Sequence, residues 1–167
     1  MFLRRETTAD APAIHAVHSA AFDGTVEPNL VDELRADGDL LNALSLVAVL
    51  DGEIVGHVAG STATLNGDKE IAVGLGPLGV LPSAQHAGVG SALMHAFDAA
   101  ADALGYGAVV LLGDPKYYSR FGYVLAAEHG IVPPQAEWAP HFQVRTLAGY
   151  KSDMRGNFRY APAFERL

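Results

Sequence analysis

The stretch Leu78-Gly79-Val80-Leu81-Pro82-Ser83-Ala84-Gln85-His86-Ala87-Gly88-Val89-Gly90-Ser91 carries a strand straight into the start of an amphipathic helix. Downstream, Val89, Leu93, Ala96, Phe97, Ala100 and Leu104 recur at helical spacing, and Gly105 stands where a C-terminal cap belongs. The first N–H groups of such a helix have no partner inside it, and the aligned peptide dipoles add partial positive charge there. A phosphate or diphosphate docks readily at that end. Gly88 and Gly90 remove side chains that would hold a bulky anion away from the amides. A nucleotide P-loop would finish on Gly-Lys-Ser/Thr, which Gly90-Ser91-Ala92 does not supply. A dinucleotide fingerprint would want a third glycine where Leu93 stands. Both readings fail. A seat for some other phosphate-bearing ligand and an ordinary glycine-softened loop remain.

Outward from this turn the chain reads as one mixed α/β domain over residues 1–167. A short strand is expected at 2–6. A helix follows, with Thr8 or Asp10 able to cap it and Ile14, Val17, Ala21 and Phe22 at helical spacing. A second helix reads Glu27 to Arg35, with Pro28 near its start and Gly38 past its end. Ser45–Leu50 and Glu53–Ser61 flank Asp51-Gly52, a strong hairpin signal. A further strand is expected from about Ile71 to Leu81. Its glycines and Pro77 point to a bulge or to a close approach by a ligand. Ala108–Leu112 reads as a buried strand, a short helix follows through Tyr117 to Phe121, and 142–147 alternates like a strand.

The quoted stretch resembles the GNAT acetyltransferase superfamily. Its signature, Gln/Arg-x-x-Gly-x-Gly/Ala after a Leu-x-Val-x-Pro strand end, stands here as Leu78 to Pro82 followed by Gln85-His86-Ala87-Gly88-Val89-Gly90. The resemblance implies a central, mostly antiparallel sheet flanked by helices, with two parallel strands splayed apart. It also implies acetyl-CoA as co-substrate. The main chain of Leu78 and Val80 would pair with the pantetheine arm, and Gln85, His86, Ala87, Gly88, Val89, Gly90 and Ser91 would form the diphosphate turn. A second resemblance lies in Asp114-Pro115-Lys116-Tyr117-Tyr118-Ser119-Arg120-Phe121-Gly122-Tyr123, the Gly-Asp-Pro-x-Tyr-Tyr form of a bacterial subgroup. It implies Tyr118 as the general acid that protonates the departing thiolate, with Tyr117 against the coenzyme. A phenol with a pKa near ~10 is protonated at neutral pH and can donate. In packing terms alone, both tyrosines also suit an amphipathic interior position.

An amine acceptor needs a base. Glu70, just before the cofactor strand, and Glu27, near the start of the second helix, are candidates, with His57 and His86 behind them. His15 and His18 lie three apart on one helix without a partner motif, so no metal is expected. The 167 residues carry 11 Lys and Arg against 19 Asp and Glu, a net charge of −8, which disfavours nucleic acid and suits cationic amines. There is no cysteine, so no disulfide, thiolate metal site or thiol-borne acyl group forms. No apolar run approaches the ~18 residues of a membrane span, and no secretory leader is evident, so a cytoplasmic protein is expected. The expected reaction is direct transfer in a ternary complex to a small-molecule or peptide amine. The rival is an acyl-CoA-binding or sensing domain without chemistry. For the tail after Glu128, sheet completion, acceptor-pocket shaping and homodimer contacts all stay open.

Overall fold

A computed structural model describes all the residues, Met1–Leu167. Strand β1 (Phe2–Arg5) leads to α1 (Ala11–Ala21) and α2 (Val26–Asp37). Asp10 stands at the cap of α1 but turns back, accepting from the Thr7 N–H at 2.7 Å and pairing with Arg4 at 2.6 Å. It therefore secures the loop before α1 instead of capping the helix. At the end of α2, Gly38 takes φ 78° and closes the helix in the left-handed conformation that glycine adopts without a Cβ penalty.

Strands β2 (Leu46–Leu50) and β3 (Glu53–Leu65) form the hairpin read at Asp51-Gly52, with φ of 51° and 82° at the two turn residues. β3 runs four residues beyond the expected Ser61, because Ala63–Leu65 find a second partner in the tail. Next come β4 (Ala72–Val80), α3 (Val89–Ala103), β5 (Ala108–Leu112) and the short α4 (Pro115–Tyr118). The tail adds β6 (Val124–Leu125), β7 (Ile131–Val132), β8 (Phe142–Thr146) and β9 (Gly156–Tyr160). The sheet order is β1-β2-β3-β4-β5-β8-β6, with β9 joined to β3 and β7 to β9. Among the three roles left open for the tail, sheet completion is therefore realised: β8 pairs with β5 along its whole length.

Two apolar layers sandwich the sheet. On one face α3 packs Val89, Leu93, Met94, Phe97 and Ala101 against Val58, Val73, Val109 and Leu111. On the other, Ile14 of α1 and Val31 of α2 meet Val47, Val49 and Ala59. The stripe on α3 is rotated from the one expected: Met94 and Ala101 are buried, whereas Leu104 is 52 % exposed. The helix ends at Ala103, and the chain reverses through Gly105 (φ 87°), which carries Leu104 off the buried face.

Of the seven strands on the main path, only β4 and β5 run parallel, and they stay together briefly. They pair at Ala72↔Ala108, Val73↔Val109 and Gly74↔Val110, then separate. On its other side β4 gains one residue over β3 between the pairs Leu75↔Gly60 and Leu78↔Val58, a bulge at Gly76-Pro77. The gap opens where the bulge begins. No helix in the chain is long and apolar enough to cross a membrane.

Candidate active site

The gap between β4 and β5 widens into a cleft of about 880 Å³. Its walls come from Leu75 to Val80 of β4, the Gln85–Ser91 turn, the end of β5 and the tyrosine helix. From Leu75 on, the β4 edge facing β5 has no strand partner, so its main-chain groups are available to an extended ligand. Leu78 and Val80, expected to offer that backbone, both line the cleft.

At one end of the cleft α3 presents its N-terminus. Gly88 occupies the cap position with φ 84°, and no side chain bonds the first-turn amides. The N–H groups of Val89, Gly90 and Ser91 are thus free of intrahelical partners, in the field of a 15-residue helix. His86 also adopts a left-handed backbone, φ 60°, which turns the chain around the seat. Gln85 holds the turn to the strand through Nε2, which donates to the Val80 carbonyl at 3.1 Å. Gln85, His86, Gly88, Val89, Gly90 and Ser91 all reach the cleft wall, while Ala87 sits on the turn away from it. A Cβ at Gly90 would come within 2.6 Å of Tyr117 Oη, so this glycine lets the phenol close over the helix start. Amides without partners, a positive helix end and a glycine-lined approach fit a diphosphate.

One contributor escaped the sequence reading. Arg120 lays its guanidinium over the Tyr117 ring at 4.5 Å and points Nη2 at Ser91 Oγ, 3.4 Å away. It brings a cation beside the anion seat from the opposite wall of the cleft. Only its place one turn after Tyr117, on the same side of a short helix, hinted at this.

The tyrosine helix is fixed from three directions. The Asp114 carboxylate caps it by accepting from the Lys116 N–H at 2.9 Å. The preceding loop is tied to β8: Gly113 N–H donates to the His141 carbonyl, and Gln143 Nε2 donates to the Gly113 carbonyl, each at 3.0 Å. The Tyr118 ring packs against Gly113, leaving no room there for a Cβ, and meets Tyr117 edge-on at 4.8 Å. Burial, and then the neighbouring Tyr117, pushes the Tyr118 phenol up to about 12, so it holds its proton throughout the physiological range.

The two carboxylates named as base candidates part company. Glu27, in the first turn of α2, is half-buried on the cleft wall. Glu70 is not brought to the site. It is exposed in the turn before β4, six residues ahead of Gly76 and about 20 Å back along an extended strand. The splay opens at the other end of β4, so proximity in sequence to that strand misleads. His57, on β3, is fully buried and does not line the cleft. No group of three or more His, Cys, Asp or Glu side chains is arranged to hold a metal ion.

Residues 42–125 match the family model described as acetyltransferase (GNAT) domain. The chain is 39 % identical over 149 residues to the uncharacterized N-acetyltransferase YhbS of Escherichia coli K12, covering 89 % of this chain and 88 % of that one. The crystal structure of E. coli YhbS in complex with CoA superposes with a TM-score of 0.92 at 36 % identity, over 99 % of this chain and 92 % of the other. A GNAT family acetyltransferase from Brucella melitensis in complex with acetyl-CoA superposes with a TM-score of 0.81 at 33 % identity, over 98 % and 97 % of the two chains.

Proposed function

The chain belongs to the GNAT family of N-acetyltransferases, and from that membership we propose that it moves an acetyl group from acetyl-CoA to a primary amine by direct attack within a ternary complex. The observation that carries this reading is the convergence on one cleft of three features: an unpaired β4 edge, the open start of α3, and a half-buried phenol. Their order matches the coenzyme, with the diphosphate on the amides of Val89 to Ser91, the pantetheine along Leu78 and Val80, and the thioester near Tyr118. Two relatives of more than 30 % identity were crystallised with CoA or acetyl-CoA, which supports the same assignment.

In this mechanism the main chain does the binding. Helix-start amides and the Arg120 guanidinium take the diphosphate charge, and the β4 edge aligns the pantetheine arm so that the thioester carbonyl faces the acceptor. The Tyr118 phenol holds its proton until the thiolate departs and then donates it. With no cysteine in the chain, no thiol can carry the acyl group. The cleft also presents Glu27 and Asp114, and the chain is acidic overall, so a cationic acceptor is favoured at the acceptor side.

Release of free CoA from acetyl-CoA, followed with a thiol reagent across a panel of peptide, polyamine and amino-sugar amines, tests the reading. Amine-dependent release is expected. Acetyl-CoA binding without release by any amine would point instead to a sensing domain.

A further inference from the structure

The cleft passes through the sheet at the splay, and its two ends lie on opposite faces. Leu78 and Val80 turn their side chains to the α3 side, where they pack against the core that α3 covers. A Cβ at Gly90 would lie 3.9 Å from Val80 Cγ2, so the diphosphate seat is on that same side. Gly79, between them, faces the other way: a Cβ there would lie 3.5 Å from the Ala21 Cβ at the end of α1. Ala21, Phe22 and Glu27, from the end of α1 and the first turn of α2, wall the cleft on this second face. A coenzyme seated at the start of α3 fills the first side and leaves the second to the acceptor.

The two ends also differ in charge. Arg120, the one arginine or lysine lining the cleft, stands beside Ser91 at the α3 end. Two carboxylates line the cleft, and that of Asp114 is engaged as the cap of α4. α2 carries four acids, of which Asp32, Glu33 and Asp37 pair with Arg35 or Arg166. Glu27, the fourth, has no ion-pair partner. It is a half-buried carboxylate left open to the cleft. Its neighbours on this face, Ala21, Phe22 and Gly79, are uncharged and offer no side-chain donor or acceptor. β4 itself, Ala72–Val80, brings no titratable side chain.

We propose that the acceptor enters from the α1–α2 face as an aliphatic diamine, acetylated at one nitrogen while the second, still protonated, pairs with Glu27. The proposal deepens the acetyl-transfer reading of the cleft and rests on it. Only a neutral nitrogen attacks a thioester, and a carboxylate in contact with that nitrogen would hold it as an ammonium. Glu27 therefore suits the nitrogen that does not react. The ammonium it fixes lowers the proton affinity of the other nitrogen by like-charge repulsion across the spacer. Ala21, Phe22 and the bare Gly79 give a methylene spacer an apolar floor, where the hydroxyls of an amino sugar would find no side-chain partners. In the transfer the N–C bond forms and the C–S bond breaks. The attacking nitrogen loses one proton to solvent, and the thiolate takes the Tyr118 proton, which solvent restores. The second nitrogen gains and loses nothing.

This role is distinct from that of a general base. A base serves every amine alike and its loss lowers kcat, whereas a residue that holds a second charge acts only on acceptors that carry one, and acts through binding. Glu27 is half-buried, so salt reaches the pair and weakens it.

The test uses the full chain and acetyl-CoA, with the terminal diamines of butane and of hexane set against n-butylamine and n-hexylamine, which match them in length but lack the second charge. In wild type at least one diamine is expected to exceed its monoamine by about tenfold or more in kcat/KM, through KM, and added sodium chloride is expected to shrink that ratio. Calorimetry of the wild-type CoA complex is expected to rank the same diamine above its monoamine. Glu27→Gln keeps the shape of the side chain and removes its charge, and the ratio is expected to fall to about one. Equal kcat/KM for diamine and monoamine in wild type overturns the proposal. So does a ratio that survives in Glu27→Gln, including one preserved while both amines slow together, which would make Glu27 a base. If the variant fails to fold, the wild-type ratio and its salt dependence decide. If no amine releases CoA, the acetyl-transfer reading falls, and calorimetry of the CoA complex still decides whether the diamine is preferred.

Discussion

Tyr118 and Gly90 carry the sharpest consequences for single side chains. Replacing Tyr118 by Phe keeps the ring on Gly113 and against Tyr117 but removes the proton. The expected result is a fall of about 100-fold or more in kcat with CoA affinity unchanged, read by comparing turnover with calorimetry. Equal turnover would free Tyr118 from the acid role. Gly90→Val acts on the other half of the site. Its side chain would run into Tyr117 Oη, already 2.6 Å from a bare Cβ, and crowd the helix-start amides. CoA affinity is expected to drop by about tenfold or more, equivalent to about 1.4 kcal/mol, with little change in the melting temperature of the free protein. Tyr118 could be singled out from its spacing to Gly122. Arg120 could not, because its role depends on α4 and the start of α3 facing each other across the cleft.

Elements were legible wherever local chemistry and tertiary packing agree. The Asp51-Gly52 turn, the glycine after α2 and the apolar run Ala108–Leu112 each name their own structure, and the structure follows them. The α3 stripe was legible in period but not in phase, since Leu104 continues the pattern although the helix has already ended. The tail pairings were beyond reach: β8 lies beside β5 and β9 beside β3, contacts that no local periodicity encodes. The misplacement of Glu70 has a similar origin, because which end of β4 opens depends on where β5 leaves it. At this scale Phe97 is the keystone of α3. It is fully buried beneath the helix, and its ring lies 3.0 Å from where a Gly60 Cβ would sit. Phe97→Ala is expected to destabilise the fold by about 3–5 kcal/mol, measured as a lower urea midpoint at an unchanged slope.

For the molecule as a whole, a line of hydrogen bonds from Glu6 Oε2 to His57 Nε2 (2.7 Å) and from His57 Nδ1 to His18 Nε2 (2.8 Å), with both imidazoles fully buried, couples stability to pH. His18 is held well below the ordinary histidine value, so the unfolded chain binds a proton there that the folded chain refuses. The associated stability is complete above a pH of about 6.5 and falls as pH drops towards about 3, with a limiting slope near 1.4 kcal/mol per pH unit. Glu6, held low by its partners, adds loss in the same direction below the ordinary carboxylate range. Urea midpoints between pH 7 and pH 4 are expected to decline steeply in wild type and less steeply in His18→Gln. Parallel declines would show that the line does not govern acid sensitivity. The proposed acetyl transfer requires that the open start of α3 seat a diphosphate, and titration calorimetry of the wild-type chain with CoA and with pantetheine, which lacks the diphosphate, tests that most directly. Measurable heat is expected with CoA, and an affinity at least about tenfold weaker for pantetheine; no heat with CoA, or equal affinity for the two, would rule the diphosphate seat out.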